Sequence, residues 1–72
     1  MTTREYINIC CEIKGGITQK ELARRMRQTP QNLNNKMQNE NFRIDFLAKI
    51  ADALDADLQI KFIDRASGEP IY

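Results

Sequence analysis

With 72 residues, 42% of them hydrophobic and 29% charged, the chain is long enough for one small domain. It has no histidine, and its two cysteines, Cys10 and Cys11, are adjacent. That rules out a disulfide framework, leaves too few soft ligands for a zinc site, and removes the residues of a Ser–His or Cys–His catalytic pair. No apolar run approaches the roughly 20 residues of a membrane span, and the first residues carry no signal-peptide pattern, so the expected location is cytoplasmic.

The net charge of +1 conceals an asymmetry. Residues 1–43 hold eight basic and four acidic side chains, a surplus of +4, and residues 44–72 hold three basic and six acidic, a deficit of −3. A positive first half is what contact with phosphates requires.

In chain order, the first helix is expected over about Thr3–Lys14. Tyr6, Ile9, Cys10 and Ile13 recur at spacings of three and four as a single apolar stripe, Thr2 or Thr3 serves as cap, and Gly15 and Gly16 end the helix. One cysteine is expected to face the core and the other to lie near its edge. A second helix is expected over about Gln19–Met26, with Leu22, Ala23 and Met26 inward and Lys20, Arg24 and Arg27 outward. Thr18 and Glu21 have the spacing of a capping box, in which each side chain satisfies a backbone N–H of the other.

Only Arg27 and Gln28 separate this helix from Thr29 and Pro30, a cap followed by proline at the first helical position, where a missing N–H costs nothing. The third helix is expected over about Pro30–Met37, anchored by Leu33 and Met37. Two short helices joined by so tight a turn make a helix-turn-helix, the unit whose second helix docks in the DNA major groove.

The third helix has an unusual surface. From Gln28 to Asn41, eight of fourteen residues are Asn or Gln. Asparagine is a mediocre helix former, and a helix built for stability alone would carry Glu, Lys, Ala or Arg outward. Amides present a donor beside an acceptor, the pair that matches adenine N6 and N7. Gln31, Asn32, Asn34 and Asn35 are therefore the candidate base-reading residues. Gln19, Lys20, Arg24, Arg27, Lys36, Gln38 and Arg43 are the candidate phosphate contacts, which hold the protein in register without reading sequence.

Asn39, Glu40 and Asn41 read as a loop. A fourth helix is expected from about Arg43 or Ile44 to Leu54, with Phe46, Leu47, Ile50, Ala51 and Leu54 forming a broad apolar stripe. The predicted core is Leu22, Leu33, Leu47, Ile50 and Leu54. The period then changes to two: Leu58, Ile60 and Phe62 alternate with Gln59 and Lys61, as in a half-buried strand facing the helices. Residues 65–69 read as a turn with Gly68 at positive φ, and residues 70–72 as a short returning strand. A lone hairpin leaves an unpaired edge, which a second copy would satisfy around a two-fold axis. Ile60, Phe62, Ile63, Ile71 and Tyr72 are the candidate dimerisation residues.

Gly16, Ile17, Thr18 and Gln19, the pair Leu22 and Ala23, Thr29, Leu33, and the run from Ile50 to Leu54 together resemble the Cro/phage-repressor (XRE-type) helix-turn-helix family over residues 16–58. The resemblance implies a mainly α, lambda-repressor-like domain of four to five helices, here with a C-terminal β-hairpin. It implies a regulator of transcription that binds double-stranded DNA, usually as a homodimer; the residues themselves, with no histidine, no catalytic pair and no phosphate loop, point to no catalysis and no cofactor. The family's base-reading places fall on Pro30, Gln31, Asn32 and Asn35, and its phosphate contacts near Gln19 and at 38–43. Three positions depart from the family's pattern. Its turn glycine is Arg27, a reading position is Pro30, and the end of its recognition helix is Lys36 and Met37. The division read from the sequence is 1–56 for DNA binding and 57–72 for dimerisation. The alternative is an antitoxin or interaction module whose C-terminal strands bind a partner protein by edge pairing.

Overall fold

The computed structural model describes residues 1–40 and 42–72. Four helices form: α1 (Thr3–Ile13), α2 (Gln19–Arg25), α3 (Pro30–Asn39) and α4 (Ile44–Ala53). The first three start on one device. The hydroxyls of Thr2, Thr18 and Thr29 each accept the backbone N–H three residues on, from Glu5, Glu21 and Asn32, all at 3.1 Å. Helix α3 runs two residues past its predicted end, taking in Asn39; the Asn41 part of the predicted loop lies outside the described residues.

The helix ends share a second device. After α2, the Gln28 N–H reaches the Ala23 carbonyl (2.9 Å) and the Arg27 N–H the Arg24 carbonyl (3.1 Å). After α4, the same pair of bonds joins Ala56 to Ala51 (2.8 Å) and Asp55 to Asp52 (3.0 Å). These are Schellman closures, which need a left-handed residue just past the cap. Arg27 (φ 57°) and Asp55 (φ 55°) supply it without being glycine.

The core consists of Ile7 and Cys11 from α1, Leu22 and Ala23 from α2, Leu33 and Met37 from α3, and Phe46, Ile50 and Leu54 from α4 and its cap. Helix α2 sits at the centre, packed against both α3 and α4. Ala23 and Leu33 are 0% exposed, so the small side chain admits close approach of α3. The Arg25 guanidinium donates to the Ala53 carbonyl at 3.1 Å and ties the end of α2 to the end of α4. Of the predicted core, Leu22, Leu33, Ile50 and Leu54 are buried, whereas Leu47 is only half-buried at the margin.

Two expectations are corrected. On α1 the inward pair is Ile7 and Cys11, with Cys10 half-buried beside them, and not the stripe of Tyr6, Ile9 and Ile13, which are 61%, 43% and 77% exposed. Apolar residues cover most of the helix circumference between positions 6 and 13, and only packing against the other helices chooses between the two arcs. The cysteines themselves fall as expected, one in the core and one at its edge.

The second correction concerns the C-terminal segment. Among the described residues no β-ladder forms; a single antiparallel bridge links Ile63 and Pro70. The predicted turn is present, with the Ile71 N–H on the Phe62 carbonyl and the Asp64 N–H on the Glu69 carbonyl, both 2.8 Å, and Gly68 at φ 72°. Leu58, Ile60 and Phe62 do not face the helices. They are 39%, 57% and 79% exposed, and Ile63, Ile71 and Tyr72 are exposed as well. Leu54 already closes the core, and among the described residues the segment packs neither into that core nor along a strand edge. It projects as an arm: the radius of gyration is 13.7 Å and the long axis 43 Å, against about 11 Å for the radius of a compact chain of this length. Among the described residues no helix is long and apolar enough to cross a membrane.

Candidate nucleic-acid interface

The turn between α2 and α3 sets the geometry of this face. Arg27 in the left-handed region reverses the chain within two residues, and the Thr29 cap restarts it directly into Pro30. The two helices are thereby fixed through Leu22, Ala23, Leu33 and Met37, which leaves the other side of α3 free.

That free side is built from amides. With Leu33 and Met37 inward, helical spacing places Gln31, Asn35 and Gln38 opposite the core, flanked by Asn32 and Asn39. All five are exposed. Asn34 lies nearer the core and is half-buried, which sets it apart from the other candidate base readers. Among the described residues, none of these side chains hydrogen-bonds another group of the protein, so their donors and acceptors stand available as a set.

Two clefts border α3. One, of about 270 Å³, lies between α3 and the start of α4 and gathers Lys36, Arg43 and Lys49 with Asn39 and Asp45. Its floor includes Phe46, which stacks on Phe42 with ring centroids 5.8 Å apart. The Lys36 ammonium sits 5.3 Å from the Phe46 ring centroid, a cation–π contact that holds it at the cleft. Arg43 is the N-cap residue of α4 and makes no side-chain cap bond, so its guanidinium is left to solvent beside the helix N-terminus. The other cleft runs between the starts of α2 and α3 and includes Lys20, Arg24 and Thr29. Gln28 lines both clefts, and among the described residues its buried side-chain oxygen has no hydrogen-bond donor.

The basic candidates differ in how free they are. Lys20, Arg27, Lys36 and Arg43 are exposed, as is Gln38, and Gln19 is half-buried at the start of α2. Arg24 is exposed but engaged: its guanidinium grips the Glu21 carboxylate through two bonds, with Nε to Oε2 at 2.8 Å. Arg25 adds a third bond at 3.2 Å. Hydrogen bonds from Arg24 and then Arg25 hold the Glu21 carboxyl down at about 2, and Glu21 in turn raises Arg24. The capping box is therefore half formed. Thr18 caps Glu21, but the Glu21 side chain serves the arginines and not the Thr18 N–H.

Lys49 was not among the sequence candidates, although its position was legible. Arg43, Phe46 and Lys49 recur every three residues and so share a face at the start of α4. The dimerisation candidates, Ile60, Phe62, Ile63, Ile71 and Tyr72, lie on the projecting arm away from the core, all exposed.

A short helix–turn–helix whose second helix presents an unpaired amide face between cation-lined clefts is a DNA-binding module of the helix-turn-helix class. The Cro/C1-type HTH DNA-binding domain family matches the chain over residues 13–59, which takes in α2, α3, α4 and the turns between them, and the chain belongs to that family. No similar curated protein and no similar solved structure was found.

Proposed function

We propose that the protein is a sequence-specific, repressor-like transcriptional regulator that binds a two-fold symmetric DNA site as a homodimer, with α3 in the major groove. The observation that carries this reading is the exposed amide face of Gln31, Asn32 and Asn35 on the second helix of the motif. Amide side chains read adenine bidentately, and here nothing among the described residues competes for them. In this reading residues 1–56 bind DNA and residues 57–72 mediate dimerisation. Lys36, Arg43 and Lys49 grip phosphates on one side of α3, and Gln19, Lys20 and Arg27 do so on the other; Gln38 adds a neutral contact. Arg24, already held by Glu21, serves mainly to shape the start of α2. Asn34, half-buried, plays at most a supporting part in reading. Two copies would set their α3 helices about 34 Å apart, one turn of DNA.

The test starts from selection of bound sequences out of a random DNA pool at a stated salt concentration, where an inverted repeat is expected. On the selected site, Gln31→Ala should weaken binding by roughly 1–3 kcal/mol and relax preference at one base pair, with little change on random DNA. An equal loss on both DNAs would contradict base reading. The exposed apolar arm favours a second reading, an antitoxin or interaction module with a protein partner. That reading expects the arm to be dispensable for DNA affinity.

A further inference from the structure

Two apolar surfaces of this chain lack a partner: the outward stripe of α1, made of Tyr6, Ile9 and Ile13, and the arm, with six exposed apolar side chains between Leu58 and Tyr72. We propose that each covers the other between two copies, the arm of one protomer lying along the α1 stripe of its partner, twice around the two-fold axis. The proposal rests on the homodimer put forward above and specifies a second half of its interface: the arms do not meet only each other, and α1 is part of the contact.

Three observations select a second copy as the occupant. The first is area. Nine large apolar side chains, three on α1 and six on the arm, each expose on the order of 100 Å², or roughly 900 Å² per copy in the two surfaces together, close to the ~800 Å² per partner of a stable complex. The second is shape. The arm does not fold back on its own helices; it extends the molecule to 43 Å and keeps its alternating apolar residues away from the core. The third is charge. By helical spacing Glu5 and Glu12, about 10 Å apart along the axis, border the α1 stripe on one side. The arm carries Lys61 and Arg65 beside Asp57, Asp64 and Glu69, and of these only Lys61 lies inside the apolar run, between Ile60 and Phe62. Among the described residues, ion pairs form only at Glu21, which leaves Glu5, Glu12 and Lys61 unpaired there. The acidic rim of α1 and Lys61, the one charge within the apolar run from Leu58 to Ile63, are complementary across the contact.

The experiment is a charge exchange in the full-length chain, read as the dimer dissociation constant by sedimentation equilibrium, with far-ultraviolet circular dichroism to check the helices. Glu12 and Lys61 are both exposed, so neither substitution disturbs the core. Glu12→Lys and Lys61→Glu should each weaken the dimer about tenfold, and the double variant should recover to within about twofold of the original, the mark of a direct pairing. Ile13→Glu, which places a charge on the stripe itself, should weaken the dimer at least about a hundredfold with unchanged helix content. A dimer that withstands Ile13→Glu, or single exchanges that the double variant does not rescue, would overturn the α1 contact while leaving the DNA-binding homodimer standing. A chain that stays monomeric at all concentrations would overturn both.

Discussion

Leu33, with Met37, ties α3 to the rest of the fold. Helix α3 has only two buried anchors, Leu33 and Met37, both 0% exposed, and every other side chain of α3 is exposed or half-buried. Leu33→Ala removes one anchor and leaves a cavity bounded by α2, whose Leu22 and Ala23 are equally enclosed and cannot collapse into it without moving the helix. Such a substitution costs about 2–5 kcal/mol, and the upper half of that range applies to a site so fully enclosed. A domain of this size has on the order of 4–11 kcal/mol of stability in total, so the variant forfeits a large fraction of it. Thermal unfolding followed at 222 nm should show a melting temperature lower by more than about 10 °C, at about 4–8 °C per kcal/mol. Leu47→Ala is the control. Sequence pattern places both leucines in the core, but Leu47 is half-buried and should cost less than half as much. A Leu33→Ala melting temperature equal to that of the parent, or a Leu47→Ala loss as large as that of Leu33→Ala, would refute the packing described for α3.

Neutralising Lys49 or Arg43 to Gln should weaken binding to specific and random DNA alike and reduce the salt slope by about one unit per contact; an unchanged slope removes that residue from the interface. The Glu21 carboxyl is depressed to about 2 from an ordinary 4.5, so its pairing stabilises the fold fully above about pH 4.5 and is lost as pH falls through about 2. Denaturant midpoints of the parent and of Glu21→Gln should accordingly converge as pH is lowered across that window, and a constant gap would mean that the arginine contacts do not act through the charge. Arg27→Gly relieves a left-handed conformation that costs a side-chain-bearing residue roughly 1–2 kcal/mol but gives back about 0.5–1 kcal/mol in chain entropy. The melting temperature should rise by a few degrees while DNA affinity falls with the lost cation, and a lower melting temperature would show that the arginine side chain supports the turn by packing.

The parts of the structure that were legible in the sequence are those that local chemistry decides. Thr2, Thr18 and Thr29 each start a helix through a bond three residues away, Pro30 suits only the first turn, and Leu33 and Met37 at i and i+4 give α3 one inward side; the amide face follows by exclusion. These interactions lie within one turn of the residue that makes them, so they are written in adjacent positions. Tertiary structure decided whatever involves competition between distant surfaces. Helix α1 has two apolar arcs, and only burial in the shared core selected Ile7 and Cys11 over Tyr6, Ile9 and Ile13. Glu21 could satisfy a backbone N–H or two guanidinium groups, and it pairs with the arginines, one of which also reaches the end of α4. Lys49 joins Lys36 and Arg43 because α3 and α4 converge at Phe46. The alternation of Leu58, Ile60 and Phe62 reads as a half-buried strand, but among the described residues no strand forms there and all three are exposed, because period two records only that one side of a strand would be apolar. Whether that side meets its own core depends on the space left there, and Leu54 had already filled it.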